Sequence, residues 1–257
     1  MKKLPLLLAL ACLFMLGACS KTDENGTAQV TVRLTDGPAA YDHVYIDIQK
    51  VEVTMEGSSA VNIAPVRPGI YDILDFRNGL DTLLFRANLP AGKVGQIRLI
   101  LGTNNSVVAN GVSYPLNTPS AQESGLKLNL HESFEANGAY TIWIDFDAAK
   151  SIVVTGNGSY KLKPVIRAYS ETTNGQIKGY VLPLTAGATV YAASGTDTLS
   201  AIPASADGYF KISGIPAGTC KVWVNPAAGS TLLPFAKTGI QVVYGTQVDL
   251  GTITLVP

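Results

Sequence analysis

The sequence predicts an all-β protein built as two tandem β-sandwich domains behind a secretory signal peptide. Three observations carry this expectation. Val, Ile, Thr and Tyr recur in short runs that alternate apolar and polar residues, turn residues separate the runs, with 25 glycines and 14 prolines among 257 residues, and only 15% of the chain is charged. Alternation at period two marks half-buried strands, while Gly, Pro, Asn and Asp clusters mark the reversals between them. Removing residues 1–18 leaves 239, enough for two modest domains, each with its own core.

Residues 1–18 carry Lys2 and Lys3, an apolar run from Leu4 to Leu16 broken by Pro5, and the small residues Gly17 and Ala18. The run is shorter than the roughly 20 residues a membrane-spanning helix needs, so the segment reads as a cleaved signal peptide. Leu16-Gly17-Ala18-Cys19 resembles the bacterial lipobox, in which the cysteine thiol takes a diacylglycerol and becomes the new N-terminus. The resemblance implies lipidation of Cys19, a palmitate-bearing lipoprotein, and the membrane as a partner through that lipid. An ordinary signal cut nearby, with Cys19 left free, is the alternative. Residues 19–27 are polar after the cysteine and have nothing to bury, as a flexible lipidated tether requires. Asp23-Glu24 after Lys21 resembles the surface-export signal of Bacteroidota-type lipoproteins, which implies the outer membrane and the cell surface.

Loss of Lys2 and Lys3 leaves 17 basic and 19 acidic residues, a net charge of −2, so no basic footprint for nucleic acid remains. Cys12 leaves with the signal, Cys19 is the lipid site and Cys220 stands alone. With no internal disulfide available, stability has to come from core burial.

The first domain is expected over residues 28–170. Val30, Val32 and Leu34 face one way and Thr31, Arg33 and Thr35 the other, in a strand that stops at Asp36-Gly37-Pro38, where Pro38 cannot continue a ladder. A second strand carries Val44, Ile46 and Ile48, then Val51, Val53 and Met55; the phase slips at Gln49-Lys50, and a bulge there restores the facing. Pro65, Pro68 and Gly69 mark a loop before the apolar segments Ile70 to Phe76, Leu80 to Leu89 and Val94 to Leu101. Over Leu80 to Leu84, periodicity fits a strand or a short helical turn equally. Asn110-Gly111, between Val107-Val108 and Val112-Ser113-Tyr114, is a strong hairpin signal, and Asn137-Gly138 repeats it between Leu126-to-Leu130 and Tyr140-to-Phe146. Ala148 to Ser151 suits one helical turn, and Gly156-Asn157-Gly158 reverses the chain into a closing strand, Tyr160 to Tyr169.

The polar stretch Glu171 to Gln176 is the expected boundary, and the second domain is expected over 175–257. Seven short strands recur there: Ile177 to Leu182, Ala188 to Ala193, Thr198 to Ile202, Tyr209 to Ser213, Cys220 to Asn225, Ile240 to Val243 and Val248 to Leu255. That count and spacing suit a small sandwich. Leu89-Pro90-Ala91-Gly92 and Ile215-Pro216-Ala217-Gly218 use one turn chemistry twice; their flanks do not match, so they are no sign of duplication.

The first domain resembles a lipoprotein domain family of unknown function found widely in Bacteroidota. The matching stretches are Val30 to Pro38, Leu89 to Gly92 with Gln96-Ile97-Arg98-Leu99, Asp145 to Ser151 and Tyr160 to Arg167. The family implies location and architecture and brings no catalysis. The second domain resembles the carboxypeptidase-regulatory-like, or prealbumin-like, sandwich, through Gly175 to Val181, Ala188 to Ala192 and Asp207 to Ile212 running into Ile215-Pro216-Ala217-Gly218. Cys220 stands where that family has an aromatic, and a buried cysteine packs there as a small hydrophobe. Such modules are grouped with carbohydrate-binding-like folds, a fold-level analogy only.

Candidate chemistry is sparse. His43 and His131 lie in no HExxH or ligand-spaced cluster, no GxSxG is present, and Cys220 has no sequence partner, so zinc and nucleophilic catalysis lack their parts. His43, on the polar phase of its strand, reads as solvated. Asp145 and Asp147, two apart on a strand, point to one face and form the candidate metal pair, a calcium site if loop carbonyls help, against the reading of an exposed polar strand end. Trp143 and Trp223 fall on the phases opposite Ile142-Ile144 and Val222-Val224; as ligand-binding candidates they offer indole faces to a sugar or a protein, against packing under a loop or between domains. The expectation is a non-enzymatic, cofactor-free surface lipoprotein that binds or builds. Its alternatives are a carbohydrate-binding accessory protein and a fimbrial subunit or anchor assembling by strand addition.

Overall fold

The computed structural model describes residues 26–118, 124–130 and 132–257; the expected signal peptide, Cys19, the expected tether as far as residue 25, and His131 lie outside the described residues. The chain opens with β1 (Thr27–Asp36) and β2 (His43–Met55), on which β3 (Ala60–Ile63) and β4 (Gly69–Asp72) fold back. A 3-10 turn, Ile73–Phe76, leads to β5 (Thr82–Pro90) and β6 (Gly92–Leu101). Next come β7 (Ser106–Ala109), β8 (Val112–Asn117), β9 (Leu126–Asn129), β10 (Ser133–Phe134) and β11 (Ala139–Phe146). One helical turn, α1 (Ala148–Ser151), precedes β12 (Ile152–Val154), β13 (Tyr160–Leu162) and β14 (Ile166–Ser170).

These strands form two sheets, ordered β14-β11-β1-β5 and β10-β6-β2-β7-β8-β13-β12, the second with β3 and β4 on β2 and β9 on β6. Alternating residues from both fill one core, including Val32, Leu34, Ile46, Phe85, Leu99, Ile144 and Phe146. This is sandwich packing, in which two inner faces interdigitate. The polar phase of β1 is covered rather than solvated. Thr35 Oγ1 bonds the carbonyls of Phe76 and Leu80 at 2.9 Å each, and Arg33 pairs with Asp81 at 2.5 Å, so the segment before β5 lies over that face.

The remaining strands are β15 (Asn174–Leu182), β16 (Thr189–Ser194), β17 (Asp197–Ala201), β18 (Tyr209–Pro216), β19 (Gly218–Asn225), β20 (Phe235–Val242) and β21 (Gln247–Thr254). Sheets β18-β15-β21 and β17-β16-β19-β20 enclose a separate cluster around Ile177, Val190, Phe210, Val222 and Val224. Cys220 is buried in it, and burial pushes its thiol pKa up, so it behaves as the small hydrophobe expected.

Several local expectations meet their physical cause. The β2–β6 register shifts between Ile48 and Lys50, where the phase slip called for a bulge. Asn110 and Gly111 both take positive φ, 52° and 74°, as a two-residue hairpin turn between β7 and β8 demands. Other expectations are corrected. Asn137 also takes positive φ, yet β9 pairs with β6 while β11 pairs with β1 and β14, so this turn carries the chain between sheets and closes no hairpin. The closing strand is two strands in different sheets, broken at Pro164, which has no N–H for a ladder. Leu80 precedes β5, and the helical turn lies earlier, over Ile73–Phe76. Thr27 belongs to β1 rather than the tether, its carbonyl accepting from Asn137 N at 2.8 Å. Asn174-Gly175 lies inside β15, so the polar break is only residues 171–173.

Candidate functional site

Register assembles carboxylates and cations at one end of the four-stranded sheet. β1 runs parallel to β11, which sets Asp36 opposite Phe146, and β14 runs antiparallel, which sets Arg167 opposite Asp145. The ends of three strands therefore bring Asp36, Asp145, Asp147 and Arg167 to one end of the four-stranded sheet. β17 and β18 supply the facing wall of a cavity of about 350 Å³ that these residues line with Lys150, Thr198, Lys211 and Ser213.

Arg167 spans it. Its Nε and Nη2 donate to Asp145 Oδ2 at 2.7 and 2.6 Å, while Nη1 reaches the Gly214 carbonyl at 2.7 Å and Nη2 the Ser213 carbonyl at 2.8 Å. A planar fork of donors with fixed geometry suits this double task, which lysine could not perform. Asp145 is 9% exposed and is thus no solvated strand end. Asp147 is off the strand altogether: it caps α1, accepting from Lys150 N at 3.0 Å and Lys150 Nζ at 2.7 Å. The expected same-face pair is corrected, because β11 ends at Phe146 and the chain turns into the helix. Each carboxylate is engaged by a cation, and among the described residues no group of three or more His, Cys, Asp or Glu is placed to hold a metal ion.

Asp36 is the group sequence reasoning missed. It is 7% exposed; Oδ1 accepts from Ala148 N at 3.1 Å, and Oδ2 is buried without a partner. Burial pushes its pKa well above the usual carboxylate range; the Ala148 hydrogen bond opposes the rise, and Asp145 and Asp147 add to it. A signal was available: Asp36 shares its phase with Val30, Val32 and Leu34, an acid on the apolar side of an alternating strand. Arg167 carried no comparable mark, because its partners are a carboxylate 22 residues away and backbone carbonyls 46 and 47 residues away.

Trp143 is half-buried. It stacks on Tyr169 with centroids 5.8 Å apart and planes 8° apart, and its Nε1 donates to Asp81 Oδ2 at 2.8 Å. Tyr169 in turn lies against Gly214, where an added Cβ would stand 2.7 Å from its ring. Trp143 therefore belongs to the packing beside the contact between the two sandwiches. Trp223 lies on the outer face of β19, stacked on Tyr191 at 5.1 Å and 11°, with Lys221 Nζ 5.5 Å from the indole centroid. His43 is half-exposed as expected and pairs with Asp72 at 2.5 Å.

No curated protein matches the chain. Among solved structures it is similar to the Bacillus anthracis TIE protein, at 10% identity and a TM-score of 0.25, over 91% of this chain but only 35% of that one. The minor pilin GBS52 of Streptococcus agalactiae matches at 11% identity and a TM-score of 0.22, over 90% and 97% of the two chains. The shaft pilin spaA of Lactobacillus rhamnosus GG matches at 9% and 0.21, over 90% and 98%. Superpositions this loose bear on neither fold detail nor function. The sequence comparison is firmer: a family profile, described as a domain of unknown function (DUF4382), matches residues 27–164, just over half of the 257 residues, and the chain belongs to that family.

Proposed function

We propose that the protein is a lipid-anchored surface module of the outer membrane that binds or builds and does not catalyse, with sandwich domains over 28–170 and 175–257, the second prealbumin-like. The observation that supports this best is the Arg167 bridge, in which a guanidinium held by Asp145 at the cleft hydrogen-bonds two carbonyls of the second sandwich. The lipobox at Leu16 to Cys19 supports the anchor and the membrane as partner. The test has two readouts. Cys19→Ser should abolish labelling by a clickable fatty acid and release the protein from membranes, and a variant that stays labelled and bound sinks the anchor. Arg167→Ala should enlarge the radius of gyration of the tether-free protein in solution scattering while leaving its β-rich circular dichroism unchanged; an unchanged radius sinks the rigid-module reading.

A second reading, glycan capture, has one observation in its favour: the stacked Tyr191–Trp223 pair on the outer face of the β17-β16-β19-β20 sheet. Retardation on a polysaccharide affinity gel, lost in Trp223→Ala, would support it.

A further inference from the structure

The second sheet of the N-terminal sandwich does not close on itself. One end of its path is β10 on β6, with β9 also paired to β6, the other is β13 and β12, and residues of β9, β12 and β13 line a groove of about 520 Å³. This is within the range of about 300–1,000 Å³ typical of small-molecule sites. The floor is apolar: Leu126 and Leu162 belong to the main core, so the groove is a seam opening onto it, and Val153 and Pro164 complete the wall. Three lysines, Lys127 on β9, Lys161 on β13 and Lys163 after it, ring this floor. All three are exposed, no acid lines the groove among the described residues, and none of the three has an ion-pair partner among them. Every other lysine near an acid in this half is paired, Lys50 with Glu52, Lys93 with Glu56 and Lys150 with Asp147. An apolar slot rimmed by cations that no acid among the described residues pairs has the polarity of an amphiphile with the signs reversed: chain inward, anionic head at the rim.

We infer that this seam binds a single-chain anionic amphiphile of the fatty-acid class, its alkyl chain against Leu126, Leu162 and Val153 and its carboxylate among Lys127, Lys161 and Lys163. The site is independent of the cleft spanned by Arg167 and of the lipid proposed on Cys19. The test titrates the full-length protein with the fluorescent fatty acid 11-(dansylamino)undecanoic acid below its micelle concentration. Saturable binding is expected, displaced by decanoate and at least tenfold less by decanol. The triple variant Lys127→Glu, Lys161→Glu, Lys163→Glu should weaken binding at least tenfold with an unchanged melting temperature, since all three side chains are exposed. Val153→Glu should weaken it through the wall instead. Equal displacement by decanol, undiminished binding by the triple variant, or association only with phosphatidylglycerol vesicles and none with the monomeric probe would each overturn the assignment.

Discussion

At the scale of single residues, Asp36 makes stability depend on pH. In the unfolded chain it titrates near the ordinary aspartate value of 3.8, and in the fold its pKa is higher, chiefly because burial disfavours the charge. Between the two values the folded state holds a proton that the unfolded state has released. Stability is therefore greatest below the unfolded pKa, falls as pH rises through the folded one, and is level above it. Asp36→Asn keeps an oxygen for Ala148 N and has no proton to lose, so its urea midpoint should lack the decline that the wild type shows from pH 4 upward. A parallel decline in both proteins would assign the effect elsewhere. Asp47 is a contrasting buried acid. It is 1% exposed, accepts from Asn104 N at 3.2 Å and from the Gln49 amide, and sits against Gly102, where a Cβ would collide with it. Asp47→Ala strands the Asn104 N–H and should cost on the order of 1–3 kcal/mol by chemical denaturation. Asp36 was legible in principle, as an acid on an apolar phase. Asp47 was not, because it lies on the polar phase and is covered by the 102–105 loop, whose approach no periodicity reports.

At the scale of elements, local chemistry was readable and partnership was not. The bulge at Gln49-Lys50, the Asn110-Gly111 hairpin and the single turn of α1 each follow from residues within a few positions. Asn137-Gly138 shows the limit: its turn forms, but β11 finds β1, more than 100 residues earlier, instead of β9. Strand alternation fixes which face is apolar and says nothing about which neighbour lies alongside. The same distinction bears on assembly. β20 is an outer strand, and such edges invite pairing with another chain unless guarded. Lys237 sits mid-strand and exposed, and Gly239 takes a φ of 74° close to a register shift against β19. Both features guard an edge, so strand addition at β20 is disfavoured. Lys237→Ile should raise aggregation, read by light scattering on incubation, while stability changes by no more than about 0.5 kcal/mol, as exposed substitutions do; an unchanged aggregation rate would show that the edge is guarded by other means.

At the scale of the whole molecule, the consequential question is whether two cores unfold as one. Each sandwich encloses its own apolar cluster, and each could melt alone. Polar bonds join them: the Arg167 bonds to Ser213 and Gly214, Asn78 Nδ2 to the Ile202 carbonyl at 3.1 Å, and Lys150 Nζ to the Thr198 carbonyl at 3.5 Å. Apolar packing adds to them, including Tyr169 beneath Gly214, a glycine at φ 71° whose added Cβ would stand 2.6 Å from Arg167 Nη1. Hydrogen bonds to a charged group contribute about 1.5–3 kcal/mol each, reduced here because the Arg167 side chain is a third exposed. That is enough to couple two marginal domains and too little to fuse two very stable ones. Calorimetry of the tether-free chain should therefore show overlapping transitions in the wild type and two resolved ones in Arg167→Ala and in Gly214→Ala, the second by forcing the strands apart instead of removing the fork. If both variants melt as the wild type does, neither the Arg167 fork nor the Tyr169–Gly214 contact couples the sandwiches, and Arg167 holds no more than its own carboxylate.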